Sequence, residues 1–242
     1  MNRRLYALHR WISGLALLQL AVWVTTGLFF SIAPIGSVRG AHVEGANTLP
    51  LTDVAGVLSP KVVVAILSGT GPPPESLELR ASPRGPVYIV KHGMTVYRVD
   101  ARTAERWAVD EREATEIARR DQPGEPTIAA VAPVLGDPPI EYRDKPLPAW
   151  RVRMRDAAAT VIYVDANTGD VTARRNDLWR VYDFLWSLHI MDYRKRESFN
   201  HPLIIIAASM GLLTVLTGTA LWATRIVRKA RSRAASRHQT SG

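Results

Sequence analysis

Two apolar runs, one near each end of the chain, restrict its fold more than any other feature. The first covers Trp11 to Ile32 and the second His201 to Thr224. About 20 apolar residues in a helix cover the hydrocarbon core of a bilayer, and a helix satisfies its backbone polar groups without water. The two runs also share a pattern. His9-Arg10-Trp11-Ile12-Ser13-Gly14 leads to Thr26-Gly27, and His201-Pro202-Leu203-Ile204 leads to Thr217-Gly218. Ionisable side chains bounding a membrane span ask for a functional explanation.

About 165 residues lie between the runs, enough for one core or two small ones. The chain has no cysteine, which excludes disulfides, thiolate metal sites, iron–sulfur ligation and covalent haem attachment. Its net charge of +9 is concentrated at the flanks of the spans. Arg3, Arg4 and Arg10 precede the first span; Arg225, Arg228, Lys229, Arg231, Arg233 and Arg237 follow the second. Short basic flanks mark cytoplasmic ends, so both termini are expected inside and the middle segment outside, in a two-pass protein of a bacterial inner membrane. The lipid bilayer accounts for the charge, and no nucleic-acid partner is expected. The first run exceeds an ordinary signal-peptide core and Ser31-Ile32-Ala33-Pro34 is a poor cleavage site, which favours an uncleaved anchor.

The sequence divides as follows: a cytoplasmic N-terminus and first span over 1–33, a linker over 34–50, a first repeat over 51–107 and a second over 108–175. A juxtamembrane amphipathic helix over 176–200, a second span over 201–224 and a basic tail over 225–242 complete it. Gly36, Gly40, Gly45, Asn47 and Pro50 suggest a flexible leader, and Leu51 to Leu58 reads as a short helix capped by Thr52 or Asp53. Strands are expected over 76–80, 87–90, 95–99, 128–134, 150–154 and 160–164, with a turn at Lys91-His92-Gly93 and a helix over 110–120. The repeat is visible directly. Val96-Tyr97-Arg98-Val99-Asp100-Ala101-Arg102-Thr103-Ala104-Glu105 lies 65 residues before Val161-Ile162-Tyr163-Val164-Asp165-Ala166-Asn167-Thr168-Gly169-Asp170. In the second copy Asp165, Thr168 and Gly169 supply a turn in which the carboxylate bonds the backbone and glycine takes the positive φ. The first copy has Ala104 at that point, so its turn is expected to be degenerate.

The phrase from Tyr163 to Val171 resembles the signature strand and turn of the PepSY domain. Leu8-His9-Arg10-Trp11-Ile12-Ser13-Gly14 with Thr26-Gly27, and Leu188-His189 leading to Leu216-Thr217-Gly218, resemble the PepSY-associated transmembrane helix. The resemblance implies an α+β membrane protein: two antiparallel transmembrane helices flanking an external α+β domain of two PepSY-like repeats. Related proteins include membrane components of iron uptake and single-chain ferric-siderophore reductases with b-type haems, which carry more helices than this chain.

In that light His9, His189 and His201 are candidate ligands of haem iron, since a neutral imidazole is a standard axial ligand. Each has a plainer explanation. His9 fits an interfacial side chain that snorkels to the headgroups. His189 shares a helix face with Leu178, Val181, Leu185 and Leu188, beside an aromatic belt of Trp179, Tyr182 and Trp186. His201, between Asn200 and Pro202, fits a helix cap. Some 22 helical residues separate His9 from the other two by about 30 Å, so they cannot share an iron. His9 of two protomers is expected to bind one haem b and the external histidines another, in a homodimer or as a subunit of a larger membrane complex. Thr26, Gly27, Thr217 and Gly218 are read as helix-packing residues. His42, His92 and His238 read as solvated, and so do Glu141, Asp144 and Asp156 among their arginines; Arg194, Lys195 and Arg196 are expected to meet lipid phosphates.

No phosphate-binding glycine loop, dinucleotide fingerprint, zinc-protease helix or nucleophile elbow is present in the sequence. No flavin or NAD site is therefore expected, and a reductase would draw on an external electron donor. The sequence supports a haem-bearing electron-transfer subunit for external ferric iron or ferric chelates. The alternatives are a non-enzymatic periplasmic binding or regulatory module anchored in the membrane, and an assembly subunit of a larger complex.

Overall fold

The computed structural model describes residues 3–40, 49–69, 71–122, 124 and 127–239. Its architecture is α+β, with an apolar helix toward each end of the chain and β-sheets between them. The chain forms two compact units, residues 34–181 and a helical unit of 1–33 with 182–242.

The helical unit is built on α1 (Arg3–Ile32) and α6 (Pro202–Gln239), which pack antiparallel. Both are long and apolar enough to cross a membrane, over Tyr6–Ile32 and Pro202–Lys229. Their large side chains point outward: Leu15, Leu18, Val24, Val215 and Trp222 are all exposed. Such a surface belongs in lipid or against another helix. The helix α6 does not stop at the end of the apolar run but continues into the basic segment.

The second unit begins with α2 (Ile35–Arg39), closed by Gly40 in the left-handed conformation. The expected leader thus opens as a helix, and its Gly45 and Asn47 lie outside the described residues. No helix forms over 51–58. Asp53 there accepts from the Ala55 N–H and pairs with Arg102, a turn in place of a cap. The helix comes later, as α3 (Pro60–Ser68), with Pro60 at its first position, where the missing N–H has no intrahelical partner to lose.

The strands β1 (Ser76–Ser82), β2 (Gly85–His92) and β3 (Thr95–Asp100) form an antiparallel meander, on which Val63, Tyr88, Val90 and Val99 make a core. The helix α4 (Glu111–Asp121) follows, capped by the Asp110 carboxylate on the Glu113 N–H. It lies on a second meander of β4 (Ile128–Val134), β5 (Ala149–Met154), β6 (Val161–Asp165) and β7 (Val171–Arg175). Ala114, Ile117 and Ala118 of α4 bury against Val152, Ile162 and Val164. The strand β7 was not anticipated from the sequence; its Thr-Ala-Arg-Arg run has little apolar alternation. Its counterpart in the first copy shrinks to a single bridge between Val99 and Arg106.

The two turns of the repeat are formed alike, which corrects the expectation for the first. Asp100 accepts from the N–H groups of Arg102 and Thr103, as Asp165 does from Asn167 and Thr168. The Ala104 N–H bonds the Asp100 carbonyl as the Gly169 N–H bonds that of Asp165, both at 2.9 Å. Ala104 achieves this with φ +60°, beside +84° at Gly169. A residue with a Cβ in the left-handed region carries a steric cost of about 1 kcal/mol, and the surrounding bonds hold it there.

The repeats are joined by a buried ion pair. Arg98 of β3 reaches Glu113 of α4 with two hydrogen bonds, and both side chains are almost wholly inaccessible to water. The Arg98 Nε also donates to the Trp107 carbonyl at 2.9 Å. Removing one partner of such a pair leaves a buried charge and costs about 3–5 kcal/mol. Arg98→Met is therefore expected to destabilise the 34–181 unit by about that amount, whereas Arg98→Met with Glu113→Leu should recover much of the loss. Ala104→Gly should stabilise the same unit by about 1 kcal/mol by relieving the left-handed strain, and Gly169→Ala should destabilise it by at least as much. Chemical denaturation monitored by near-ultraviolet circular dichroism checks all four variants.

Candidate functional site

Helix α1 carries His9 near its start and Thr26 near its end, both turned toward the neighbouring helices of the helical unit. The His9 Nδ1 lies 2.7 Å from the hydroxyl of Thr217 on α6. At the other end the Thr26 hydroxyl lies 2.7 Å from Nδ1 of His189, which sits in the last turn of α5 (Asp177–Ile190). The two arrangements are the same device used twice. A histidine from one helix meets a buried threonine from another, and both threonines are nearly inaccessible to solvent.

A proton count assigns the tautomers. Thr217 donates its hydroxyl proton to the Leu213 carbonyl at 2.7 Å, and Thr26 donates its own to the Val22 carbonyl at 2.7 Å. A hydroxyl has one proton to give. With that proton on the helix carbonyl the oxygen accepts, and the matching tautomer of each histidine carries its hydrogen on Nδ1; the Ser13 hydroxyl stands farther off, 3.4 Å from the His9 Nδ1. Nε2 is then the nitrogen with the free lone pair, and it has no hydrogen-bond partner among the described residues on either ring. Anchoring one imidazole nitrogen as a donor so that the other presents its lone pair is the outer-shell arrangement of metal-ligating histidines.

The surroundings of the two rings differ. At His9 a small residue gives the ring its room, since a Cβ on Gly218 would stand 3.1 Å from His9 Cε1 and push the ring by a few tenths of an ångström. The Thr-Gly pair on α6 thus works as a unit, with the hydroxyl orienting the ring and the glycine making room for it. Gly27 has open space around it, so the same unit is incomplete on α1. At His189 the ring lies edge-on to Phe30 and parallel to Trp186, with centroids 5.4 Å and 6.4 Å away. The Trp23 indole N–H closes the site by donating to the His189 carbonyl at 2.8 Å. The threonines, read from the sequence as packing residues, also hold both histidines.

His201 stands apart. Its Nδ1 accepts from the Leu203 N–H at 3.3 Å, which makes it the cap of α6. His9 and His189 lie at opposite ends of α1, because their partners Thr217 and Thr26 do. Residues 9 and 26 of one helix are about 26 Å apart at 1.5 Å per residue. His92 ends β2, half-exposed; His42 and the side chain of His238 lie outside the described residues. Among the described residues no three His, Asp or Glu side chains gather to hold a bare metal ion.

The apolar stripe expected on α5 is not its buried face. Asp183, Ser187 and Ile190 are buried, while Val181 and Phe184 are exposed. Asp183 takes that place because Arg196 donates to it at 2.5 Å, so Arg196 has an ion-pair partner where the sequence suggested lipid phosphate. The connection from α5 to α6 is wound around Asp192. Its carboxylate accepts the N–H groups of Arg194, Lys195, Glu197 and Ser198. These bonds, that of Glu197 foremost, hold the Asp192 carboxyl well below the usual aspartate range, against the opposing effect of desolvation.

In the 34–181 unit, Glu141 proves to be a hub and not a solvated acid. It accepts from the Tyr163 hydroxyl at 2.7 Å and from Arg180 at 3.0 Å, with Arg151 alongside. Tyr142 stacks on Tyr163 at 4.2 Å. Burial, together with the bond to Glu141, raises the Tyr163 hydroxyl well above the usual tyrosine range. Asp156 likewise has a structural task, accepting from the Thr160 N–H. A cleft of about 680 Å³ opens between β1 and the β6–β7 turn, lined by Leu79, Arg80, Ile89, Ile117, Arg120 and Asp170.

Comparison with known families matches one segment. Residues 108–175, which hold α4 and the β4–β7 sheet, match the model of PepSY, the peptidase propeptide and YPEB domain. The chain therefore carries a PepSY domain between two helices apolar enough to cross a membrane. No curated protein and no solved structure shows a significant match.

Two outcomes follow for the helical unit. Thr26→Val and Thr217→Val each strand a histidine N–H and should each destabilise the detergent-solubilised protein by about 1–3 kcal/mol, with Thr→Ser at the same positions close to neutral; thermal unfolding reads both. For Asp192 the folded-state pKa lies below the unfolded value of about 3.9. The contribution of its bonds is thus complete above the unfolded value and is lost as the pH falls through the folded one. Amide exchange at Glu197 and Ser198 should stay slow as the pH drops through 4 and become fast only at more acidic values, after correction for intrinsic rates. In Asp192→Asn the protection of those amides should no longer change with pH in that window.

Proposed function

We propose that the chain is the b-type-haem subunit of an electron-transfer system that reduces ferric iron or ferric chelates outside the membrane. The observation that carries this reading is the pair of threonine-anchored histidines, His9 and His189, each presenting Nε2 without a partner among the described residues. A pair of orienting hydroxyls is more than an interfacial or packing histidine requires. The donor chemistry fits haem, whose iron takes neutral imidazole as an axial ligand. It fits poorly with a bare cation, since no cluster of three His, Asp or Glu side chains forms among the described residues.

When bound, haem would supply one-electron transfer. The protein's part is to hold each imidazole in one tautomer and one orientation, by Thr217 with Gly218 at His9 and by Thr26, Phe30 and Trp186 at His189. Since these two histidines lie at opposite ends of α1 and His201 caps α6, a second histidine at either place would come from another copy of the chain. A homodimer whose α1 and α6 make a four-helix bundle meets that need. His201 is left to its capping role. Basic residues flanking the spans favour cytoplasmic termini and a periplasmic PepSY domain. The electron donor is a separate partner, because the sequence lacks dinucleotide and flavin motifs.

A second reading rests on a different observation. The cleft beside β1 is bounded by an edge strand with unpaired backbone groups and by Arg80 and Arg120. Such an edge suits capture of an extended ligand by a membrane-anchored, non-enzymatic module.

Absorption spectroscopy separates the two. Protein purified in detergent after haem-supplemented growth is expected to show a Soret band and an α-band that sharpens on dithionite reduction. His9→Ala and His189→Ala should each remove part of the spectrum, whereas His201→Ala should leave it intact. A colourless protein with no dithionite-induced change overturns the haem reading and favours the second.

A further inference from the structure

The interior of the helical unit holds a polar group that none of the preceding arguments employs. Gln19 is the central residue of the Tyr6–Ile32 span. Its Nε2 is buried and has no hydrogen-bond partner among the described residues. An amide donor in the hydrocarbon region without an acceptor is costly, and polar residues at that depth mark sites of function. Thr214 on α6 also has an unpartnered buried hydroxyl, but a threonine can turn to a carbonyl of its own helix by one χ1 rotation. Gln19 is the group that calls for an acceptor from outside.

The space in front of it is suited to one. Gln19 lines a cavity of about 250 Å³ together with Leu15, Trp23, Met191, Ala207 and Met210. The other lining residues are apolar but for the Trp23 indole N–H, which is committed to the His189 carbonyl, so the amide is the one uncommitted polar side chain in the wall. A dry cavity of roughly 150 Å³ lined by aliphatic and aromatic side chains takes up benzene. One of about 250 Å³ accommodates a six-membered ring with several substituents. The two methionines offer adaptable walls that contact ring faces and edges well. Water is a poor occupant, since it needs two or more polar partners and this wall offers one side-chain amide.

We propose that this cavity binds the head group of a membrane-dissolved quinone, with a ring carbonyl accepting from Gln19 Nε2 and the isoprenoid tail lying in the bilayer. Each feature of the cavity answers to a part of that ligand. The central position in the span matches a molecule that reaches the protein from within the lipid. The single donor matches one carbonyl, and the apolar remainder matches the ring and its methyl substituents. The site requires no haem and no partner chain.

The test is binding of decylubiquinone to the full-length protein in lipid nanodiscs, read by quenching of tryptophan fluorescence, for which Trp23 lies in the cavity wall. Saturable quenching is expected, with decylbenzene, which lacks carbonyls, binding at least tenfold more weakly. Gln19→Leu keeps the side-chain bulk and removes the donor, and should weaken decylubiquinone at least tenfold. Ala207→Leu keeps the donor and fills the space, and should abolish binding. Thermal unfolding establishes that each variant is folded. The site is overturned by equal affinity for decylubiquinone and decylbenzene, or by unchanged quenching in both folded variants. It is also overturned if decylubiquinone fails to bind while Gln19→Leu abolishes chemical cross-linking of two copies, which would make Gln19 a helix–helix contact. Because the readout is tryptophan quenching and not the Soret band, failure here leaves the haem reading standing, and a colourless protein that binds quinone leaves this one standing.

Discussion

A threonine in an apolar helix has one hydroxyl proton, and where that proton goes decides what the oxygen can do next. In this protein both go to the carbonyl four residues earlier, Leu213 for Thr217 and Val22 for Thr26. Each oxygen then accepts from a histidine of another helix, His9 in one case and His189 in the other. In lipid there is no water to compete for either bond, so breaking one leaves a donor with no alternative. Those two bonds tie α1 to α6 at one end and to α5 at the other, the second joined by the Trp23 N–H on the His189 carbonyl, where the apolar side chains around them give weakly directional contact. They also leave both Nε2 atoms with free lone pairs, so the bonds that position the helices set the chemistry the histidines can offer.

The 34–181 unit solves a comparable problem with charge. Two meanders, each with its own core, must be held in one register, and apolar contact between them would permit sliding. Arg98 reaches out of the first copy into the second, where Glu113 takes its guanidinium by both oxygens and the Trp107 carbonyl takes its Nε. A buried ion pair contributes little net stability against an apolar replacement, but it penalises every arrangement in which the charges fail to meet. Gly169 lies against the same guanidinium: a Cβ there would be 3.3 Å from the Arg98 Nη1. The turn that closes the second copy is thus glycine for two reasons, its positive φ and the arginine beside it. Ala104 keeps its methyl in the left-handed region at a modest conformational cost.

The parts of the structure legible in the sequence are those governed by local patterns. Alternation and a charge gradient are local, and they place six strands and the helix α4. The repeat is visible because Val, Asp and Thr recur in register to make one turn twice. What escaped was settled at a distance. Leu51 to Leu58 has helical composition, yet Asp53 is drawn off by Arg102, and the helix begins instead at Pro60. The strand β7 is recruited by pairing with β6, without a signal of its own. Glu141 looked like one more surface acid because nothing in its neighbourhood along the chain announces Tyr163 or Arg180. At the candidate site the residue types were readable, since histidine and Thr-Gly stand out at the ends of apolar runs. Their partners were not, because a span has no tertiary contacts written into its period. Gln19 went unremarked for the opposite reason: a single amide in a long apolar run changes the average little, and only its neighbours show that it lacks an acceptor.

The matched ends of the chain promise a symmetry that the structure completes in only one place. His9 meets Thr217 and Gly218 as an antiparallel pair of matching helices would require. The equivalent meeting, His201 with Thr26 and Gly27, does not occur, because proline follows His201 and commits its Nδ1 to capping the first turn of α6. The vacancy at Thr26 is filled by His189, which α5 delivers from outside the repeated pattern. That substitution needs α5 to end where it does, and the means are visible: the Arg196–Asp183 pair and the loop gathered on the Asp192 carboxylate fold the chain back from α5 into α6. A charged, exposed loop therefore determines which imidazole reaches Thr26 on the apolar helix. The two histidine sites share a chemistry but not an origin, and the one at His189 depends on ionised carboxylates while the one at His9 does not.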